Sequence, residues 1–205
     1  MKQIGKKFLH IPKTAGLSLG VYFDLHLKRS ELLPSRVNSD RRQNNWRHEC
    51  MDYVRPEIIS AYDWFTVVRN PWDRLVSRYN YGFKINEGGL EPGTTFKQFW
   101  ESRPEYADDS YFPHAFKSWP SQKRYLGSHA DRFDCLNYHN LKMDIKIYLD
   151  VDLQAHRNKS KNKKDYKSYY DKKLIQEVAD YYSDDIEYWG FDFDTGPKRN
   201  IYNVL

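Results

Sequence analysis

Cysteine is scarce in this sequence: Cys50 and Cys135 are the two among 205 residues, far apart and outside any C-x-x-C spacing. That excludes a disulfide framework and a thiolate metal site, and both are expected to be buried thiols. No apolar run reaches the length of a signal-peptide core or a membrane span. Internal repeats and linker-like composition are also missing, so the 24.7 kDa chain reads as one domain over residues 1–205. A domain of this size buries roughly 70% of its unfolded surface. Charge of one sign is not abundant either: the net charge is +5 and the pI about 9.0. This bias suits an anionic ligand and is too modest to demand nucleic acid.

Aromatic residues, by contrast, make up 17% of the chain, with 17 tyrosines and 6 tryptophans, which predicts an aromatic-rich core and rings to spare for a groove. The most informative segment is 8–18, where an apolar run breaks into Pro12-Lys13-Thr14-Ala15-Gly16 and continues amphipathically through Leu17 and Ser18. The pattern predicts a strand ending at Ile11, a tight turn carrying Lys13, and a helix from Gly16 to about Leu27. Unpaired backbone N–H groups, the positive end of a helix dipole and an ammonium then converge on one point, an anion cradle. The plain alternative is a strand-to-helix turn with a solvated lysine. Lys13-Thr14 matches the last pair of a Walker A loop, but Pro12 and Lys7 stand where its glycines would be. A wide loop around a triphosphate is thereby disfavoured, and a single phosphate bearing one further group fits better.

A second motif reads 65–79. Residues 64–68 are apolar except for Thr66, as in a strand buried on both faces. Asn70 can cap and Pro71 can open a helix whose Trp72, Leu75, Val76 and Tyr79 share one face. Arg69 then stands at the carboxyl end of a strand, where open α/β sheets bind ligands, and Ser77 could reach the same anion. The alternatives are an Arg69 to Asp73 ion pair and a surface hydroxyl at Ser77.

His10-Ile11-Pro12-Lys13-Thr14-Ala15-Gly16 followed by a small hydroxyl residue resembles the 5′-phosphosulfate loop of the carbohydrate sulfotransferases, which take sulfate from 3′-phosphoadenosine 5′-phosphosulfate (PAPS). Residues 65–79 resemble their 3′-phosphate motif. The resemblance implies an α/β, P-loop-kinase-like three-layer fold with a central parallel sheet. It also implies metal-free sulfuryl transfer from PAPS to a hydroxyl of a carbohydrate or glycoconjugate. Lys13 would neutralise charge on the leaving oxygens, the 12–18 loop would hold the phosphosulfate, and Arg69 and Ser77 would hold the 3′-phosphate. Leu17 replaces a common threonine, which removes one hydroxyl contact but leaves the N–H donors. Arg47-His48-Glu49 matches the family's general-base loop, with His48 lying 21 residues before Arg69. His10 would buttress the loop, and His114 is a candidate to touch the acceptor. The tail Tyr188-Trp189-Gly190-Phe191 also matches, whereas His139 replaces a family glutamate, so no role is carried to it. The basic run 158–164 is either a solvated loop or a lid over the 3′-phosphate with Ser160 and Lys161 as contacts. Golgi relatives carry an amino-terminal anchor; none is seen here, which implies a cytoplasmic enzyme of a bacterial or viral host, or a trimmed piece of a longer protein. No nucleic-acid partner is expected.

Two other classes stay open on the residues alone. A P-loop kinase or NTPase would need magnesium and an acid ending a buried strand, which is not evident. A nucleic-acid-binding protein would use the lysine run and exposed aromatics. Neither accounts for Arg69 and Ser77 together with the first loop. Elsewhere the pattern predicts a loop over 28–47, a short helix or turn within 51–59, and a helix capped at Thr94-Thr95. It further predicts a strand over 133–138, a helix through Leu141, Ile145, Tyr148 and Leu149, and a closing helix over about 171–182.

Overall fold

The apolar run at Trp64 forms β2 (Tyr62–Val68), which lies between β1 (Gly5–Phe8) and β3 (Phe133–Asn137) in a parallel sheet. The computed structural model describes residues 5–16, 19, 27–35, 48–85, 91–105, 119–153 and 164–202. Leu17, Ser18, His114, Ser160 and Lys161 lie outside them. Alternate residues of β2 point to opposite faces. Trp64 and Val68 enter one apolar cluster, while Phe65 and Val67 enter another, so both faces of the strand are buried.

The α-helices with both ends among the described residues are, in chain order, α1 (Pro56–Ala61), α2 (Pro71–Ile85), α3 (Phe96–Glu101), α4 (Gln122–Leu126), α5 (Leu141–Leu149), α6 (Lys172–Tyr181) and α7 (Ser183–Trp189). The cluster on the Trp64 face draws on α2, α3, α4, α6 and α7. On the Phe65 face, Leu141, Ile145 and Tyr148 of α5 pack together with Leu19. The result is the three-layer α/β arrangement with a central parallel sheet that the sequence implies.

Local chemistry sets the element ends. The Asn70 side-chain oxygen accepts from the backbone N–H of Trp72 (3.0 Å) and Asp73 (3.3 Å), with Pro71 in the first turn of α2. Its amide nitrogen donates to the carbonyls of Asp192 (2.9 Å) and Thr195 (2.8 Å), so one side chain both starts α2 and fastens the carboxyl-terminal segment to it. Thr95 and Gln98 form a reciprocal capping box on α3, and Asp171 caps α6 through the Leu174 N–H. Gly190 ends α7 at φ 66°, a left-handed conformation that costs glycine little. Beyond it the Tyr202 N–H bonds to the Cys135 carbonyl (2.7 Å) and covers the edge of β3.

Several boundaries depart from the sequence reading. The β1 ladder ends at Phe8 rather than Ile11, although the Leu9 N–H still reaches the Phe65 carbonyl (3.0 Å); the turn beginning at Pro12 pulls the chain away. Of the predicted first helix, Gly16 and Leu19 are helical, Leu27 is not, and 20–26 lie outside the described residues. Within the predicted 28–47 loop, residues Arg29–Glu31 form a 3-10 turn and Leu32 bridges to Val54. Burial of Lys7 explains this order, because Glu31 meets its ammonium at 2.6 Å. Cys50 and Cys135 are buried free thiols, as expected. Among the described residues no helix is long and apolar enough to cross a membrane.

Candidate active site

The ends of all three strands open on the same side of the sheet. Past β1, residues 12–15 turn with Lys13 at φ 71° and Ala15 at φ 76°, both in the left-handed region that residues with a Cβ avoid. Left-handed residues within a turn are the backbone pattern from which anion-binding concavities are built, and here they stand on either side of Thr14. The Thr14 hydroxyl points inward and donates to the Ile11 carbonyl (2.8 Å), so it shapes the turn. Gly16 has no room for a side chain: a Cβ there would stand 1.8 Å from the His10 ring. His10 is 3% exposed and buttresses the turn as expected.

Past β2, Arg69 is buried and fixed at every polar edge. Its Nε and Nη2 donate to the two carboxylate oxygens of Asp73, each at 2.8 Å, and Nη1 donates to the Lys13 carbonyl at 3.0 Å. The ion pair weighed from the sequence is therefore present, as a bidentate fork. A guanidinium has five N–H groups, so one on Nη1 and one on Nη2 remain for a ligand. Its backbone is held as well: Gln122 accepts from the Arg69 N–H (2.9 Å) and donates to the Arg69 carbonyl (2.8 Å). Asp185 in turn orients Gln122 and caps α4 by accepting from the N–H groups of Gln122 (2.9 Å) and Lys123 (2.8 Å). Burial raises the Asp185 carboxyl above its usual range, opposed by the Arg74 charge and these hydrogen bonds.

The face of α2 toward the turn is defined by what it touches. Asp73 binds Arg69, and Tyr81, two turns later, lies 3.5 Å below the Lys13 ammonium. Ser77 is half-buried midway between them at i+4 from Asp73, so it shares the stripe that faces the turn. Arg74, also buried, donates from Nε to the Pro12 carbonyl (3.1 Å) and from Nη1 to the Pro120 carbonyl (2.9 Å), clamping both loops to α2. Burial pushes the phenols of Tyr125 and Tyr182 up, against the opposing charge of Arg74, so both stay neutral around it.

Past β3, Tyr138 stacks on the Arg69 guanidinium (4.0 Å to the ring centre), and His139 lies 3.9 Å from the Asp73 carboxylate. The fourth contribution is His48, whose ring centre is 4.1 Å from that of His10 and whose Nδ1 is 3.1 Å from the His10 carbonyl. A carbonyl only accepts, so Nδ1 carries the proton of this contact, and in the neutral form of the ring the lone pair then lies on Nε2. Glu49, the neighbouring carboxylate, is buried at 3% exposure. The structure thus brings Pro12, Lys13, Thr14, Ala15, Gly16, Arg69, Ser77 and His48 to one region.

Sequence reasoning missed Tyr81, Arg74, Tyr138, Gln122 and Asp185. Arg74 had a signal, a cation beside the apolar face of α2; Gln122 and Asp185 meet across 63 residues of chain and had none.

The sequence profile of the sulfotransferase family matches residues 7–139, which include both motifs and the His48 loop. A crystal structure of a sulfotransferase from Alicyclobacillus acidocaldarius is similar over 91% of this chain and 94% of that one, at 15% identity and a TM-score of 0.47. No curated protein sequence matches the chain. With the profile covering well over half of its length, this chain belongs to the sulfotransferase family.

Proposed function

We propose that the protein transfers the sulfuryl group of PAPS to a hydroxyl of a carbohydrate or glycoconjugate. The observation that carries this reading is the hydrogen bond from Arg69 Nη1 to the Lys13 carbonyl, 3.0 Å long, which joins the anion turn to the buried arginine. One molecule with an anionic group at each end matches two cationic subsites held in fixed register. The donor set fits PAPS: converging N–H groups and an ammonium for the phosphosulfate, and two remaining guanidinium N–H groups with the Ser77 hydroxyl for the 3′-phosphate.

In the reaction the acceptor oxygen forms a bond to sulfur as the bond from sulfur to the 5′-phosphate oxygen breaks, and its electron pair leaves on that phosphate. The acceptor proton goes to Nε2 of His48. Lys13 and the turn N–H groups stabilise the charge growing on the leaving oxygens. Positioning contributes most in a loose, in-line displacement of this kind.

Thermal stability tests the donor. The melting temperature should rise with 3′-phosphoadenosine 5′-phosphate, stay raised in EDTA, and respond less to ATP. Stabilisation by ATP that depends on magnesium overturns the assignment in favour of a nucleotide kinase or NTPase.

Ser77 is the cleaner probe of the 3′-phosphate subsite, because removing Arg69 would strand the buried Asp73 carboxylate. Ser77→Ala should weaken 3′-phosphoadenosine 5′-phosphate binding by about 1–3 kcal/mol, the range for a hydrogen bond to a charged group. Calorimetric titration measures it, and unchanged affinity would place the 3′-phosphate elsewhere.

A further inference from the structure

The Lys13 side chain extends from a backbone that Arg69 already holds, and its ammonium lies 3.5 Å from the centre of the Tyr81 ring. Both anchors stand on one stripe of α2, Asp73 with its bound Arg69 at one end and Tyr81 at the other, with Ser77 between. We propose that Tyr81 is a positioning residue for Lys13: its ring face holds the ammonium over α2, at the mouth of the 12–15 turn, before the donor arrives.

The physical case rests on entropy and on geometry. A free lysine side chain has about 2 kcal/mol of rotamer entropy to lose on ordering. A ring face attracts the ammonium through its quadrupole, so this contact, unlike a hydrogen bond, does not use an N–H group of the lysine on an acceptor. A carboxylate in the same place would compete with an incoming anion, whereas a neutral ring does not. Tyr81 is half-buried, which limits water access to one side of the contact and strengthens it. The left-handed conformation of Lys13 (φ 71°) gives the side chain its starting direction, and the ring fixes its end.

This inference rests on the sulfotransferase reading in one respect, that Lys13 meets the leaving oxygens. The experiment pairs two variants with two readouts. Tyr81→Leu removes the ring face and should lower kcat/KM for the donor roughly 3–30-fold, the span expected for one cation–π contact. Tyr81→Phe keeps the ring face and should restore most of that loss, which a role for the hydroxyl would not do. Lysine-selective NMR supplies the second readout. The Lys13 Hε resonance, assigned by its absence in Lys13→Arg, should be shifted upfield by the ring in wild type and in Tyr81→Phe, and should move to the ordinary lysine position in Tyr81→Leu. Wild-type kcat/KM for the donor in Tyr81→Leu overturns the proposal, as does an ordinary Lys13 resonance in the wild type. Failure of the underlying reading looks different: the wild type transfers no sulfuryl group while the ring shift persists.

Discussion

His48→Ala is expected to lower kcat roughly 10²–10⁴-fold while affinity for 3′-phosphoadenosine 5′-phosphate stays close to wild type. The asymmetry follows from where the ring is held. His48 touches the His10 carbonyl and ring, and it is not one of the donors assigned to the nucleotide, so its loss should leave nucleotide binding close to intact. What is lost is the lone pair on Nε2, the group assigned to take the acceptor proton. The His10 contact also makes a more specific variant informative. His48→Asn can still donate to the carbonyl but cannot accept a proton at working pH, so its turnover should fall as far as that of the alanine variant. Rates are measured at saturating donor with the best available acceptor, and affinity by calorimetry. Near wild-type turnover in either variant would move the base elsewhere while leaving the reaction class untouched.

Lys13→Ala should lower kcat by roughly 10²–10³-fold through lost stabilisation of the leaving oxygens. Unlike the His48 variants, it should also weaken donor binding, because the ammonium meets charge already present in the ground state. The split between the two parameters is the diagnostic. A loss confined to donor KM would mean that Lys13 binds donor and transition state equally and contributes no differential stabilisation. The backbone of the turn should survive the substitution, since Thr14 bonds to Ile11, Arg74 bonds to Pro12, and Gly16 fits over His10 without any help from the lysine side chain.

The parts legible in the sequence were those whose causes are local. The apolar run of β2, the Asn70 cap with Pro71 and the Thr95 cap all act within a few residues and appear where expected. The same holds for Arg69 and Asp73, one helical turn apart, although only the structure shows that they pair at both carboxylate oxygens. Gly16 was legible as a turn glycine, but its reason was not: the obstacle is the His10 ring, placed there by the turn itself. Contacts such as Lys13 with Tyr81, or Tyr138 with Arg69, join distant segments through faces that no periodicity marks. Tyrosines are so frequent here that no single one stands out by composition. Lys7 shows the converse, a cation with no local signal for burial that the fold places against Glu31.

The long reach of the ties around the turn has a consequence for how the site comes into being. Arg69 meets Lys13 across 56 residues, Arg74 meets Pro12 across 62 and Pro120 across 46, and Asn70 meets Thr195 across 125. Each requires a large loop to close before any hydrogen bond offsets the lost chain entropy, the condition associated with slow folding. The left-handed turn at Lys13 and Ala15 has one local tie, from Thr14 to Ile11, which offsets only part of the cost of two left-handed residues. The anion site is therefore expected to form together with these long-range contacts rather than ahead of them. A chain emerging from the ribosome would carry both sulfotransferase motifs for some time before Arg69 and the 12–15 turn were joined.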